Sequence, residues 1–546
     1  TERDTNYRRV LDRFLAARDR SLTPFLECSD TSFLIRILEN NQGISLLPWY
    51  AVEQSVGVHD MFKWHSVALE EDARYVRLTV TKDEIKLFEV ALFGEDGTIL
   101  PITSCTAEAL ADEQSIVPAE ISYRNSMYFD EVYHGRTAYE QLHNMEWYEN
   151  THPPLGKVFI SWSIAAFGMT PFGWRFAGTL AGVLMVPAMY LLCKTLFRRP
   201  LFAFFGTFLM TFDFMHLAQT RLGTIDSYPV LFIILSFAFL LRYAYMSFYH
   251  DKLWKTFVPL ALSGFFMGLG MASKWIGIYA AAGLAVLFFW IFGTRVQEYL
   301  AAKRDLAAGN LSAERRETCE HIVAVFKGKA VKTILACVVF FGIIPLAIYI
   351  GSYYLRIDEP HHGLKEVWNY QLHMFNYHKG VFDSHPFESP WWQWPLDIRN
   401  IWYYVSDSMP AGGGSSLSAL GSPAVWWAGL ACLIWVAVRA VRGYGKRDPR
   451  LWWLLIGFCA NYLPWVLVPR VTFVYHYFAS VPFIVLCTVL FFEDLYDKKR
   501  WAKTAMFVFM GVVLALFLLF YPVLTGVPMT ELHASLLNWL PSWTLY

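Results

Sequence analysis

From about residue 173 onward the chain carries repeated apolar runs of roughly 20 residues, the length a helix needs to cross the hydrocarbon core of a bilayer. Few folds tolerate that pattern, because lipid offers no hydrogen bonds and each segment must satisfy its own backbone. An α-helical polytopic membrane protein follows. The runs lie near 173–197, 201–219, 225–246, 256–272, 275–294, 331–351, 424–441, 451–468, 472–493 and 503–524, about ten transmembrane helices in this chain. The stretch 155–168, LGKVFISWSIAAFG, is too short to span and is expected to lie in the interface. Composition agrees, since 55% of residues are hydrophobic and 17% charged, where soluble domains average about 25% charged. Lys+Arg and Asp+Glu each number 46, so no basic excess is available to hold a nucleic acid. Eight Cys are too few for a disulfide scaffold in a chain this long, and no CxxC occurs.

Orientation follows from the resistance of Lys and Arg to translocation. Arg198 and Arg199 follow the first run, and Lys252 and Lys255 the third. The loop 295–330 follows the fifth, Arg439 to Arg450 the seventh, and Lys498 to Lys503 the ninth. Every odd-numbered span thus ends in a basic loop, expected to be cytoplasmic. Residues 1–172, the loop 352–423 and the tail 526–546 then face outward. An exported N-terminal part needs a leading segment, so a first transmembrane helix is expected ahead of Thr1.

The outer N-terminal part divides into a polar segment, 1–32, a β-rich module, 33–105, and a first outer loop, 106–172. The membrane domain runs from 173 to 525. In the module, YVRLTV (75–80) and IKLFEVALF (85–93) read as strands closed by the turn GEDG (94–97). The run from Ala73 to Gly97 resembles the last strands of discoidin-type carbohydrate-binding modules. A scaffold without a ligand is the plainer reading of it.

In such a protein the informative residues are polar groups at the mouths of spans. Five clusters stand out, and all are expected on the outward side. Asp130 and Glu131 precede His152 and Lys157. Arg221 and Asp226 join the second and third spans, and Lys274 sits at the next outer mouth. The loop 352–423 carries His385, Glu388, Trp391, Trp392 and Arg399. Arg470, Tyr475 and His476 join the eighth and ninth spans. Each has an ordinary explanation: Asp130 and Asp226 as helix N-caps, Lys274 snorkelling to the interface, the Trp residues as an aromatic belt. Adjacent carboxylates point in different directions on a helix or strand, so at most one of Asp130 and Glu131 is a base. His373 and His378 are five apart, off the helical pairing, and no HExxH accompanies them. No metal and no cofactor are expected.

Carboxylates, cations and aromatics on one face describe transfer of a group from a lipid phosphate to an alcohol. Arg and Lys neutralise the phosphate, and a carboxylate takes the hydroxyl proton. No P-loop or Gly-rich nucleotide motif is present. A transporter of a lipid-linked sugar is the alternative from another class. It would place polar groups near the bilayer midplane and show repeated halves.

FDEVYHGR (129–136), HPPLGK (152–157), RLGTIDS (221–227), KW (274–275), HPFESPWWQWPLDIRNIWYY (385–404) and YLPW with PRVTFVYHY (462–477) resemble the protein O-mannosyltransferase family. The similarity runs in order from about 123 to 525. It implies the GT-C architecture, a dolichyl- or polyprenyl-phosphate mannose donor, and inverting transfer to Ser or Thr of exported proteins. By resemblance the acidic pair is Asp130 and Glu131, with Asp130 the better base. His152, Lys157, Arg175 (in GWRF), Arg221, Asp226, Lys274, Arg399 and Arg470 would surround the donor phosphate and sugar. His385, Glu388, Trp391, Trp392, Tyr475 and His476 would form an aromatic loop toward the acceptor. Eukaryotic members carry a β-trefoil MIR insertion for which 352–423 has no room, which points to a bacterial enzyme in the plasma membrane. Eukaryotic members also pair, so a dimer is a further implication. Another GT-C transferase, moving a different sugar to a lipid or glycan, would share the donor site.

Overall fold

The structure is a computed structural model, and it describes residues 89–355, 363–380, 385–406 and 413–545 together with Trp64 and Val76. The chain separates into two compact units, 1–121 and 122–546. In the first, β1 (Leu92–Phe93) and β2 (Ile99–Leu100) pair antiparallel around the expected GEDG turn. Gly97 supplies the positive φ there, 73°, at no steric cost. The Thr98 amide and hydroxyl both donate to the Asp96 carboxylate. The rest of the expected 33–105 module, including most of YVRLTV, lies outside the described residues, as does 1–32.

The second unit opens with α1 (Glu131–Leu142) and α2 (Leu155–Phe167), the latter being the short apolar segment anticipated from the sequence. Then follow α3 (Pro171–Phe197), α4 (Pro200–Thr211), α5 (Phe214–Thr220), α6 (Ser227–Ala244), α7 (Leu253–Ser273), α8 (Ile276–Ala308) and α9 (Ala313–Tyr353). The segment between α9 and the next spanning helix contains α10 (Leu364–Gly380), β3 (Ile401–Val405), β4 (Gly413–Gly414) and β5 (Ser416–Ala419). α11 (Pro423–Val441), α12 (Arg450–Tyr462), α13 (Val481–Tyr496), α14 (Ala502–Thr525), β6 (Met529–Thr530) and α15 (Glu531–Leu537) complete it. β3 pairs with β5, and β4 with β6, so the tail is stitched to the segment between α9 and α11.

Among the described residues eight helices are long and apolar enough to span: α3, α6, α7, α8, α9, α11, Val474–Tyr496 (which includes α13) and α14. The run at 201–219 is the pair α4–α5, bent by 58°, and makes a ninth if counted as one span. The run at 451–468 is shorter than its hydropathy promised. α12 ends at Tyr462 and passes into a 3-10 turn, Leu463–Leu467, where Pro464 cannot continue an α-helical ladder. The expected basic loop 295–330 is also corrected: α8 and α9 extend through it as a helical hairpin, capped by Gly309 at φ 75° and by the Ser312 hydroxyl accepting from the Arg315 amide. EYLAAKRDLAA and AERRETCEH are good helix formers despite their charge.

α6 and Val474–Tyr496 form the centre, each with 78% of its apolar window buried, while the window of α9 is 6% buried. A helix apolar on all sides belongs inside a bundle or against lipid. α6 takes the first place, with Phe237 edge-on to Trp453 at 5.6 Å and Phe483 at 5.0 Å. α9 takes the second, exposing Val331, Leu335, Val338, Ile343 and Leu346. α9 is kept close to α7 by a π-helical turn, Val339–Ile343, that passes Gly264. Any Cβ at 264 would run into the Phe340 carbonyl oxygen. Gly264→Leu is therefore expected to destabilise by about 1–3 kcal/mol through overpacking, seen as a lowered melting temperature. Gly328→Ala, where the space is open, should leave it level or slightly raised.

Candidate active site

α1 begins at a left-handed residue, Phe129, with φ 53°. A bulky side chain in that region costs about 1–3 kcal/mol and persists only where packing enforces it. Here the Phe129 ring lies 4.2 Å from Tyr403 and 6.1 Å from Tyr475. The turn separates the acidic pair that follows. Asp130 and Asp226 hold the N-cap positions of α1 and α6, yet neither side chain makes a capping hydrogen bond. The ordinary reason for an acid at these positions is missing.

Asp226 instead accepts from Lys274 Nζ at 2.5 Å. Lys274 occupies the extended residue between α7 and α8, and its ammonium stands 5.6 Å from the centre of the Tyr475 ring. Asp130 is close enough to feel both of these charges, along with Glu149 and Arg470. Burial and the neighbouring Asp226 carboxylate raise its pKa to about 7, against a smaller pull from Lys274 and Arg470. A carboxyl poised there is suited to accept a proton near neutrality.

Glu131 faces elsewhere. Fully buried, it takes Arg175 Nε and Nη2 at 2.7 Å each, Trp174 Nε1 at 3.3 Å and the Gly223 amide at 2.9 Å. This clasp joins α1 to α3 and to the turn before α6. Arg175→Ala would leave a buried carboxylate unpaired, with an expected cost of about 3–5 kcal/mol, measurable as a loss of thermal stability.

A second buried network centres on Glu149, which carries no motif and was not anticipated. It pairs with the fully buried Lys157 at 2.5 Å and accepts from His152 Nδ1 at 2.9 Å. Burial works to raise its pKa, but Lys157 and His152 hold Glu149 well below the usual carboxylate range. Burial likewise keeps His152 neutral, well below its ordinary value. With Nδ1–H directed to Glu149, Nε2 of His152 is left as a hydrogen-bond acceptor. Lys157 thus frames the site from behind.

Asp226, Lys274, Arg470, His152, Tyr475 and His476 line one cavity of about 440 Å³, within the range of small-molecule sites. Its other walls include Trp275, Tyr279, Phe375, His378, Trp465 and Leu467. His378, whose Nε2 bonds the Thr151 carbonyl at 2.9 Å, is pushed by burial down to about 4 and is neutral. Asp130 adjoins Asp226 and Lys274 but does not itself line this cavity, and other expected residues are not brought to it. Arg175 is committed to Glu131, and Arg221 donates to the Leu524 carbonyl at 2.8 Å above the Tyr123 ring. Arg399 reaches the Glu388 carbonyl, the Glu388 carboxylate accepts from the His385 amide, the Trp391 carbonyl accepts from Tyr462, and Trp392 is exposed. The cavity lies at the start of α6, the end of α7 and the start of α8. Away from the cavity, α6 carries Arg242 in its last turn, Lys252 precedes α7, and Arg295 lies on α8 where its apolar part gives way to the charged extension.

Comparison with known proteins bears on this geometry. Residues 165–360 match the family model for dolichyl-phosphate-mannose-protein mannosyltransferase, and 363–543 match that for the C-terminal four-transmembrane region of protein O-mannosyltransferase. A polyprenol-phosphate-mannose–protein mannosyltransferase of Mycolicibacterium smegmatis is 25% identical over 476 residues, covering 76% of this chain and 87% of that protein. Its counterpart in Mycobacterium tuberculosis is 26% identical, covering 76% and 86%. The donor-bound Pmt1–Pmt2 protein O-mannosyltransferase complex of Saccharomyces cerevisiae shares the fold, with a TM-score of 0.63 at 13% identity, over 77% of this chain and 89% of that one. The two matched regions take in the whole membrane bundle and most of the cavity wall, and this multi-pass membrane protein belongs to the protein O-mannosyltransferase family.

Proposed function

We propose that this chain transfers mannose from a polyprenyl-phosphate mannose to Ser or Thr hydroxyls of exported proteins, at the outer face of a bacterial plasma membrane. The observation that carries the reading is the placement of half-buried Asp130 beside Asp226, Lys274 and Arg470, where desolvation and the Asp226 carboxylate push its carboxyl up to about 7. The names of the mycobacterial relatives support the donor and the acceptor class. The basic residues at the helix ends opposite the cavity support its outward orientation.

In this reading the donor phosphate lies beside Arg470 and Lys274, and its sugar reaches toward Asp130. The acceptor oxygen attacks the anomeric carbon as its proton passes to Asp130. The new bond is carbon to acceptor oxygen, and the bond that breaks is carbon to phosphate oxygen. The electron pair leaves with the phosphate, whose growing charge Arg470 and Lys274 stabilise. A phosphate that departs as an anion needs no general acid. Attack opposite the leaving group inverts the anomeric centre. The neutral Nε2 of His152 is an acceptor for a sugar hydroxyl. Glu131 is a positioning residue that acts through Arg175 and the Gly223 turn, and Lys157 positions Glu149 and His152. Arg221 braces the end of α14, and Arg399, His385, Glu388 and Trp391 brace the outer segment.

Asp130→Asn, assayed with polyprenyl-phosphate mannose and a Ser/Thr peptide in vesicles, should lose about 10²–10⁴ in turnover. Near-wild-type turnover would overturn the assignment. Arg470→Ala should cost about 10²–10³ in kcat with the fold intact, since Arg470 supports no buried ion pair among the described residues. A change confined to KM would instead make it a ground-state contact.

A further inference from the structure

α10 divides into three sectors when its residues are placed at about 100° intervals. One holds Val367, Gln371, Met374 and His378 and packs on the protein. Gln371 accepts from the Tyr349 hydroxyl at 2.6 Å and donates to the Tyr353 hydroxyl at 2.9 Å, while Val367 joins Trp147 and Tyr353. A second sector is polar and exposed, with Lys365, Asn369, His373 and Asn376. The third is apolar and equally exposed: Leu364, Trp368, Leu372 and Phe375 are 65, 63, 46 and 58% accessible.

The position of the helix decides what covers that stripe. Tyr349 and Tyr353 belong to the last turns of α9, and Phe375 lines the same cavity as Trp275 and Ile276 at the start of α8. α10 therefore lies across the ends of two spans, where hydrocarbon gives way to headgroups. Lys365 and Lys379 flank the stripe at its two ends, as snorkelling side chains do. Four side chains on one helix are far less than the roughly 1,200–2,000 Å² of a stable protein interface, which disfavours a second copy as the occupant. Through Phe375 the stripe continues into the apolar wall formed by Trp275, Tyr279 and the highly exposed Leu467.

We infer that the Leu364–Trp368–Leu372–Phe375 stripe lies in the outer leaflet and forms the bank along which the donor's prenyl chain enters and leaves the cavity. The entry role rests on the donor reading above, whereas insertion into lipid does not.

Two arms separate them. With p-benzoylphenylalanine in place of Trp368, the full chain in phosphatidylglycerol–phosphatidylethanolamine vesicles should photolabel phospholipid. A cross-linked dimer, an adduct with the peptide acceptor, or no adduct at all would overturn insertion. In the second arm, the Trp368→Glu, Leu372→Glu double variant should raise KM for long-chain polyprenyl-phosphate mannose about ten-fold. Its kinetics with a short-chain, water-dispersed donor should not change, and Trp368→Leu should behave as wild type with both. Equal effects on the two donors, or none, would overturn the entry role. If the unsubstituted chain transferred mannose from neither donor, the donor reading itself would fail and the photolabel would still decide insertion.

Discussion

The arrangement depends on how buried charge is distributed beside the cavity. Glu131 has Arg175, Glu149 has Lys157, and Asp226 has Lys274. Burying such pairs is tolerable only when each is complete and well bonded, and these three are. Asp130 is the carboxyl left over. Its surroundings act on it chiefly through desolvation and charge, with Asp226 repelling and Lys274 attracting. Arg470 is the counterpart on the cationic side. A hydroxyl brought to Asp130 and a phosphate brought to Arg470 would complete both; Arg470, Lys274 and Asp226 line the cavity, and Asp130 adjoins the last two.

The surrounding bundle holds this arrangement in place with helix ends rather than helix middles. The N-termini of α1, α6 and α8, the C-terminus of α7 and the turn before Val474–Tyr496 all converge there. Each convergence is enforced locally: Phe129 is strained between Tyr403 and Tyr475, and Lys274 occupies the extended residue that breaks α7 from α8. The clasp on Glu131 adds a rigid tie between α1 and the start of α6. Geometry set by such ties is what a site needs if it is to hold a reacting pair within ångströms.

Much of this was legible in the sequence, for physical reasons that also mark where legibility stopped. Spanning helices announce themselves by length and hydropathy, so the runs at 173–197 and 503–524 were placed within a few residues. At 451–468 the same signal misjudged the element, because hydropathy does not register that Pro464 ends the helix. The charges of 295–330 read as a loop, although Ala, Glu, Lys and Arg are also the best exposed-helix residues. Within the site, the motifs named Asp130, Asp226, Lys274, His152 and Arg470 but could not rank them against Arg175, Arg221 or Arg399. An arginine that pairs with a buried glutamate and one that faces a cavity are identical in one dimension. Glu149 was missed outright, since only the burial of Lys157 reveals that a counter-charge is required.

The most direct test is the pH dependence of kcat/KM for the wild type beside Asp226→Asn. If Asp130 is the base and its carboxyl is raised by burial and by Asp226, wild-type activity should climb as pH rises through about 7 and then level off, because only the deprotonated form accepts a proton. Removing Asp226 takes away a like charge and frees Lys274, both of which favour ionised Asp130. The acid limb of the variant should therefore move to lower pH. A wild-type profile flat across neutrality, or a limb that stays in place in the variant, would contradict the account.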